Sequence, residues 1–115
     1  MGWPPQIGEP LPRASACWYE PIKFEEWILA PRGHGHEWQR IFNVGLDDRD
    51  RVWEAISSAA GASVIMEVRD RKADGVVCGI WERVMIGKRS AMVTMSWHYE
   101  DSSAAPRLAT AYPSP

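Results

Sequence analysis

The sequence has little of what marks secreted, membrane-spanning or nucleic-acid-coating proteins. Its 115 residues include two cysteines, Cys17 and Cys78, which are too few for a disulfide scaffold and form no Cys-x-x-Cys pair. No apolar run approaches the ~20 residues that span a bilayer, and residues 1–15 lack the apolar segment of a signal peptide. A net charge of −2 argues against broad nonspecific binding to nucleic acid, but it leaves room for one compact RNA site. We therefore expect a soluble cytoplasmic protein whose thiols are reduced.

Sequence signatures of common cofactor and nucleophile sites are also missing. There is no P-loop, no Gly-x-Ser-x-Gly turn and no dinucleotide fingerprint, so we expect no cofactor. His34 and His36 flank Gly35 at a spacing that could grip a metal, but no Asp, Glu or Cys stands nearby at ligand spacing and His98 is distant. We expect no metal site, and Cys78 is unsuited to nucleophilic catalysis because it alternates with apolar residues inside a strand.

Tryptophan, in contrast, is abundant. Each indole can bury a large area and carries one N–H that needs a partner, so core bulk is one interpretation. A groove for flat ligands such as nucleic-acid bases is the other. Trp3 lies in a segment rich in Pro and Gly and is the least suited to a core. The seven residues are Trp3, Trp18, Trp27, Trp38, Trp53, Trp81 and Trp97.

The first half of the chain has the periodicity of helices. Residues 1–15 lack any period and predict an extended arm, which leaves 16–115 as a single domain. Apolar residues at i, i+3 and i+4 then predict helices at about 21–29, 36–43 and 48–60. Pro21 suits the first helical turn, an Asp47–Asp50 capping box would start the third helix, and Gly61 would end it. The loop that holds His34 and His36 is expected to be flexible.

From Ser63 onward the period falls to two, which is typical of strands. Strands are predicted at about 63–69, 76–86, 91–99 and 106–113, and Glu82 is the exception on an apolar face of the second. The short connections between them require antiparallel neighbours. We expect an α+β fold in which about three N-terminal helices pack on a four-stranded antiparallel meander. In the last strand, Leu108, Thr110 and Tyr112 are predicted to share one face.

Polar side chains of the last two strands are the best candidates for chemistry. RNA cleavage without a metal needs a base for the 2′-hydroxyl, a cation for the phosphorane and hydroxyl groups that position phosphate oxygens. His36 would be the acid or base, since its unperturbed pKa is near neutral. The alternatives are a plain solvated sheet face and an exposed loop histidine without a role. The strand residues concerned are Thr94, Ser96, His98, Arg107, Thr110 and Tyr112.

Several segments resemble a small bacterial and phage family of unknown function. The most specific is the closing Pro106-Arg-Leu-Ala-Thr-Ala-Tyr-Pro113, and Val93-Thr-Met-Ser-Trp97 is similar to the strand that precedes it in the family. The first half matches less specifically, through Leu11-Pro-Arg-Ala14, Lys23-Phe-Glu-Glu-Trp-Ile-Leu29, the glycines Gly33 and Gly35, and Ile41-Phe42 before Gly45.

This resemblance implies a functional context. Members occur as small stand-alone proteins and as C-terminal modules of polymorphic toxins, often beside a small immunity gene. Their helices-then-meander order is similar to barnase, EndoU and RelE-like ribonuclease toxins, which is an analogy of fold alone. Two departures matter. Where typical members have a lysine, this chain has His36-Glu37-Trp38, so His36 replaces it or activity is lost. There is also one extra residue between Thr94 and Trp97.

Two functional hypotheses follow. The first is a metal-independent endoribonuclease of the toxin type, for which the expected partners are RNA and a small immunity or partner protein. The alternative is a non-catalytic protein-interaction module, or a degenerate toxin or immunity-type protein. For the first hypothesis the candidate catalytic residues are His36, Arg107, Thr110, Thr94 and Tyr112.

Overall fold

The computed structural model describes residues 2–115 and confirms the α+β fold. Helix α1 consists of an α-helical turn, Pro21–Lys23, and a π-helical turn, Phe24–Ile28; α2 is Gly35–Phe42 and α3 is Arg49–Ala62. The strands are β1 Glu67–Asp70, β2 Val76–Ile86, β3 Arg89–Tyr99 and β4 Arg107–Ser114. They form one antiparallel sheet in the order β1-β2-β3-β4, as the short connections predicted. No helix within residues 2–115 has the length and apolar character needed to cross a membrane.

Helix α3 differs from its prediction at both ends. It continues through Ala62 to a cap at Ser63, so Gly61 lies inside the helix and does not end it. At its start the Asp47–Asp50 capping box does not form. Asp48 instead accepts a hydrogen bond from the Gly45 N–H at 3.0 Å. The spacing of a capping pattern does not show which carboxylate accepts a backbone N–H, because the conformation of the turn before the helix determines this.

The helices cover one face of the sheet, here called the inner face, and the core lies between them. Trp38 in α2 is fully buried there, and its indole N–H donates to the Ala111 carbonyl oxygen at 3.1 Å. This bond satisfies the one polar group of a large core side chain and ties α2 to β4. The largest fully buried side chains are Trp38, Trp97, Tyr99, Phe24, Ile28, Ile56, Ile65 and Ile80.

The N-terminal arm packs on the body along part of its length. Pro10 forms an antiparallel bridge with Val64, and the Trp3 ring meets the Tyr99 ring edge-on with centroids 5.3 Å apart. Arg13 lies over the same tyrosine ring, 5.8 Å from its centroid. Trp3 is thus partly buried against the core, although its Pro-rich neighbourhood made it the least suited tryptophan for that role.

A β-bulge in β4 corrects the predicted pattern of its faces. Ser96 pairs with Thr110 but Trp97 pairs with Leu108, so Ala109 is an extra residue in the ladder. Leu108 therefore points to the inner face and is buried, whereas Thr110 and Tyr112 point to the opposite, outer face. The prediction that these three share a face was wrong because strict alternation fails at a bulge.

Glu82, the charged exception on the inner face of β2, protects an open sheet edge. Strand β1 pairs only with 76–79 of β2, so the amide of Arg83 faces an edge with no strand neighbour among residues 2–115. The Glu82 carboxylate accepts a hydrogen bond from that amide at 3.0 Å and also contacts the Ser63 hydroxyl at 2.8 Å. A charged side chain folded over an edge hinders pairing with another chain.

We expect Glu82→Val to increase self-association, because the substitution frees the Arg83 amide and makes the edge apolar. Glu82→Gln is the matched control, since its amide oxygen can still accept that hydrogen bond. Sedimentation velocity over a concentration series measures the effect. If the valine variant sediments like the wild type at every concentration, the carboxylate does not guard the edge.

Candidate functional site

The outer face of the sheet brings most of the predicted site residues together. In the ladder between β3 and β4, Thr94 lies opposite Tyr112, Ser96 opposite Thr110 and His98 opposite Arg107. Directly opposed side chains on one face have Cβ atoms about 4.5–5.5 Å apart. The bulge at Ala109 makes this possible, because the extra residue places Arg107 on the same face of β4 as Thr110 and Tyr112. We call the three cross-strand pairs together the polar cluster.

His98 and Arg107 form the best-defined part of the polar cluster. The His98 Nε2 atom lies 2.7 Å from the Asp74 carbonyl oxygen, which only accepts, so Nε2 carries the proton and Nδ1 keeps a lone pair. The Arg107 guanidinium lies 3.4 Å from that Nδ1 atom and 3.2 Å from the Glu20 carboxylate. The histidine thus has a fixed tautomer, and its Nδ1 lone pair accepts a hydrogen bond from the Arg107 guanidinium.

Gly75 makes room for this arrangement. Its φ of 90° lies in the region that favours glycine, and a Cβ there would come within 2.2 Å of the Tyr99 carbonyl oxygen and 3.0 Å of His98 Nε2. The dipeptide Asp74-Gly75 is one that favours tight hairpin turns. In the structure the same turn also supplies the carbonyl that anchors His98 and leaves space for its ring.

Two of the predicted residues fit the cluster less well. His36 is exposed on α2 and lines a different groove with Leu29, Gln39 and Val44, which none of the polar-cluster residues lines. The Thr110 hydroxyl oxygen is shielded from solvent and has no hydrogen-bond partner among residues 2–115. A phosphate contact at Thr110 would require neighbouring side chains to move apart.

His34, not His36, is the loop histidine that reaches the sheet. Its ring stacks on Tyr112 with centroids 4.8 Å apart and planes 26° apart, and Trp27 packs edge-on against it at 5.4 Å. The loop is tightly hydrogen-bonded: the His34 N–H donates to the Trp27 carbonyl oxygen at 2.9 Å. No signal in the sequence distinguished the two histidines, because the backbone path around Gly33 decides which of them contacts Tyr112.

Gly33 permits that path, and we expect Gly33→Ala to destabilise the protein and displace His34. A Cβ at Gly33 would lie 1.9 Å from the Trp27 carbonyl oxygen, which is backbone and cannot simply rotate away. Thermal unfolding measures the loss. The matched control is Gly61→Ala, because a Cβ at Gly61 would have no atom within 4 Å. Alanine is the better helix former at this helical position, so this variant is expected to gain about 0.5–1 kcal/mol of stability. Equal stability of the two variants would contradict the tight loop.

Charge distinguishes the outer face from the rest of the chain. Among the side chains that the strands project from it, Arg69, Arg83 and Arg107 are cationic and Glu67 is anionic, although the whole chain carries −2. Glu20 offsets part of the charge of Arg107. The outer face is therefore locally cationic, which suits an anionic ligand.

The cysteines lie outside this chemistry. Burial raises the pKa of the Cys78 thiol to about 11 and also raises the pKa of Cys17, so both are protonated near neutral pH. Neither is in a disulfide. Within residues 2–115, no three His, Cys, Asp or Glu side chains lie close enough together to hold a metal ion.

Fold and site together define an α+β protein with an open, cationic sheet face that carries a histidine–arginine pair. None of the protein-family models matches this chain, and neither a curated protein nor a solved structure is significantly similar to it. The chemistry of the side chains on the outer face is therefore the basis for a functional proposal.

Proposed function

We propose that this protein is a metal-independent endoribonuclease of the toxin type and that the polar cluster is its active site. The observation that carries the proposal is the contact between His98 and Arg107, in which a histidine of fixed tautomer directs a lone pair beside a guanidinium. These are the base and the cation that cleavage through a 2′-hydroxyl requires. The resemblance of the Pro106–Pro113 segment to a family with toxin modules supports the same class.

In the proposed reaction His98 Nδ1 removes the proton from a ribose 2′-hydroxyl. The 2′-oxygen attacks the adjacent phosphorus, the bond from phosphorus to the 5′-oxygen breaks, and water supplies the proton that this leaving oxygen takes up. The products are a 2′,3′-cyclic phosphate and a 5′-hydroxyl. Arg107 moves from His98 to a phosphate oxygen, where it stabilises the charge that develops, and Glu20 orients its guanidinium. The Ser96 hydroxyl, two residues from His98 on the same face of β3, would position a phosphate oxygen, and Thr94 lies two residues farther along the strand.

His98 takes over the role for which the sequence suggested His36. Its tautomer is set by the Asp74 carbonyl and it lies beside Arg107, whereas His36 lines another groove. An imidazole that is held in place through one ring nitrogen loses less conformational entropy when its other nitrogen takes up a proton.

Cleavage of total RNA and tRNA by the purified protein, with a chelator present, tests the proposal. Fragments that end in 2′,3′-cyclic phosphate are the expected products. RNA that stays intact under all conditions of pH between 5 and 9 would show that the protein is not a ribonuclease of this kind.

A second candidate function, a protein-interaction module, is favoured by the open edge of β2. A groove runs between this edge and α3 and is lined by Ala55, Ser58, Ala59 and Met85. An extended peptide could add there as a further strand if it displaced Glu82 from the Arg83 amide. This function also fits an immunity-type or degenerate toxin protein. Intact RNA in the assay above would favour it over the ribonuclease.

A further inference from the structure

We propose that Trp81, Thr94 and Tyr112 form a slot that holds one unpaired base of the RNA. These three residues lie side by side in register across β2, β3 and β4 on the outer face, and Thr94 and Tyr112 are the pair of the polar cluster farthest from His98 and Arg107. The inference rests on the proposed function, since it takes RNA as the ligand. It adds that the substrate is single-stranded where it crosses the sheet.

The spacing of the strands fits one base. Neighbouring strands lie about 4.8 Å apart, so the backbones at Trp81 and Tyr112 are separated by roughly 10 Å. A base midway between their rings would have its centre about 5 Å from each, within the ~4.5–7 Å range of aromatic pairs. Thr94, the residue between them, has a short side chain and leaves the space above the sheet open.

Both aromatic walls are available for a ligand. The Trp81 side chain is 42 % exposed on a sheet face where tryptophan has no core to fill. Tyr112 is stacked by His34 on one side, at 4.8 Å. The stack covers one face of the Tyr112 ring, and the residue is only partly buried. The contacts from Trp27 to His34 and from His34 to Tyr112 restrict the Tyr112 ring before a ligand arrives.

Charge on both sides of the slot selects a nucleic acid over other flat ligands. Arg83 lies two residues from Trp81 on the same face, and the His98–Arg107 pair lies four residues from Thr94, about 13 Å along β3. A phosphate backbone that crosses the sheet would meet a cation on either side of the base. The slot therefore holds a base that neighbours the cleaved bond, and the base must be unpaired to enter.

Binding of an uncleavable 2′-O-methyl RNA hexamer tests the slot apart from cleavage. Fluorescence anisotropy would compare the wild type with Trp81→Ala, and we expect about 5- to 150-fold weaker binding, as base–aromatic stacking implies. Trp81→Phe should restore most of the affinity. A hexamer with abasic sites should bind the wild type weakly and show no difference between wild type and Trp81→Ala.

Met85→Ala is the matched control, because Met85 is an exposed apolar residue of the same strand and face outside the slot. It should bind the hexamer like the wild type. Equal binding by Trp81→Ala and wild type, or an equal loss in Met85→Ala, would overturn the slot. Slot-dependent binding without cleavage of ordinary RNA would instead overturn only the proposed ribonuclease, so the two failures are distinguishable.

Discussion

Replacement of His98 by alanine is expected to lower the rate of RNA cleavage by about 10²–10⁴-fold, the usual contribution of a general base. The physical reason is that, among residues 2–115, the acceptor side chains in contact with Arg107 are His98 and Glu20, and Glu20 is held in a salt bridge, so the variant loses the group placed to take up the 2′-hydroxyl proton. Initial rates on a labelled RNA, with circular dichroism to verify folding, measure the effect.

Arg107→Ala should lower the rate by about 10²–10³-fold, because it removes a donor aimed at developing charge. Arg40→Ala is the matched control, since Arg40 is an exposed arginine on α2 away from the outer face. His36→Ala distinguishes the proposed roles of His36 and His98. A large loss of cleavage rate in His36→Ala, with no loss in His98→Ala, would assign the acid–base role to His36 and contradict the proposed site.

Trp38→Ala is expected to destabilise the fold by about 3–5 kcal/mol, the range measured when buried aromatic side chains are truncated. Trp38 is fully buried and its N–H bonds to Ala111, so the variant loses core volume and leaves that carbonyl without its indole donor. Urea unfolding followed by circular dichroism gives the change in the free energy of unfolding.

Trp27→Ala provides the control for Trp38, because it removes the same side chain from a position that is 44 % exposed. Its loss of stability should be much smaller. Trp38→Phe should lie between the two, since it keeps most of the volume and loses the hydrogen bond. If Trp38→Ala and Trp27→Ala lose equal stability, the buried Trp38 side chain and its hydrogen bond to Ala111 do not stabilise the packing of α2 on β4.

The parts of the fold that depend on local periodicity were predictable. Three helices and four antiparallel strands follow from the change of period near Ser63 and from the short connections. Features that depend on one extra residue or on tertiary contact were not. The bulge at Ala109 leaves no mark in the alternation of Leu108, Thr110 and Tyr112, yet it decides which side chains share a face.

The candidate site shows the same division. The polar residues of β3 and β4 were identifiable from their alternation, but their pairing required the register, which brings His98 opposite Arg107. The choice of His36 failed to anticipate that His34 is the histidine stacked against the sheet. Alternation alone placed Trp81 on the face of β2 opposite Cys78 and Ile80, but only the packing of the helices shows that this face is the outer one.

Cleavage of a DNA oligonucleotide that contains a single ribonucleotide tests the central claim most directly. With a chelator present, the wild type is predicted to cut once, on the 3′ side of the ribose, and to leave a 2′,3′-cyclic phosphate, while the all-deoxy oligonucleotide stays intact. The assay uses four such oligonucleotides, one for each ribonucleotide, so that a preference for one base does not prevent cleavage of all of them. No cleavage of any member, or equal cleavage of the all-deoxy strand, would contradict a ribonuclease that works through His98, Arg107 and the 2′-hydroxyl.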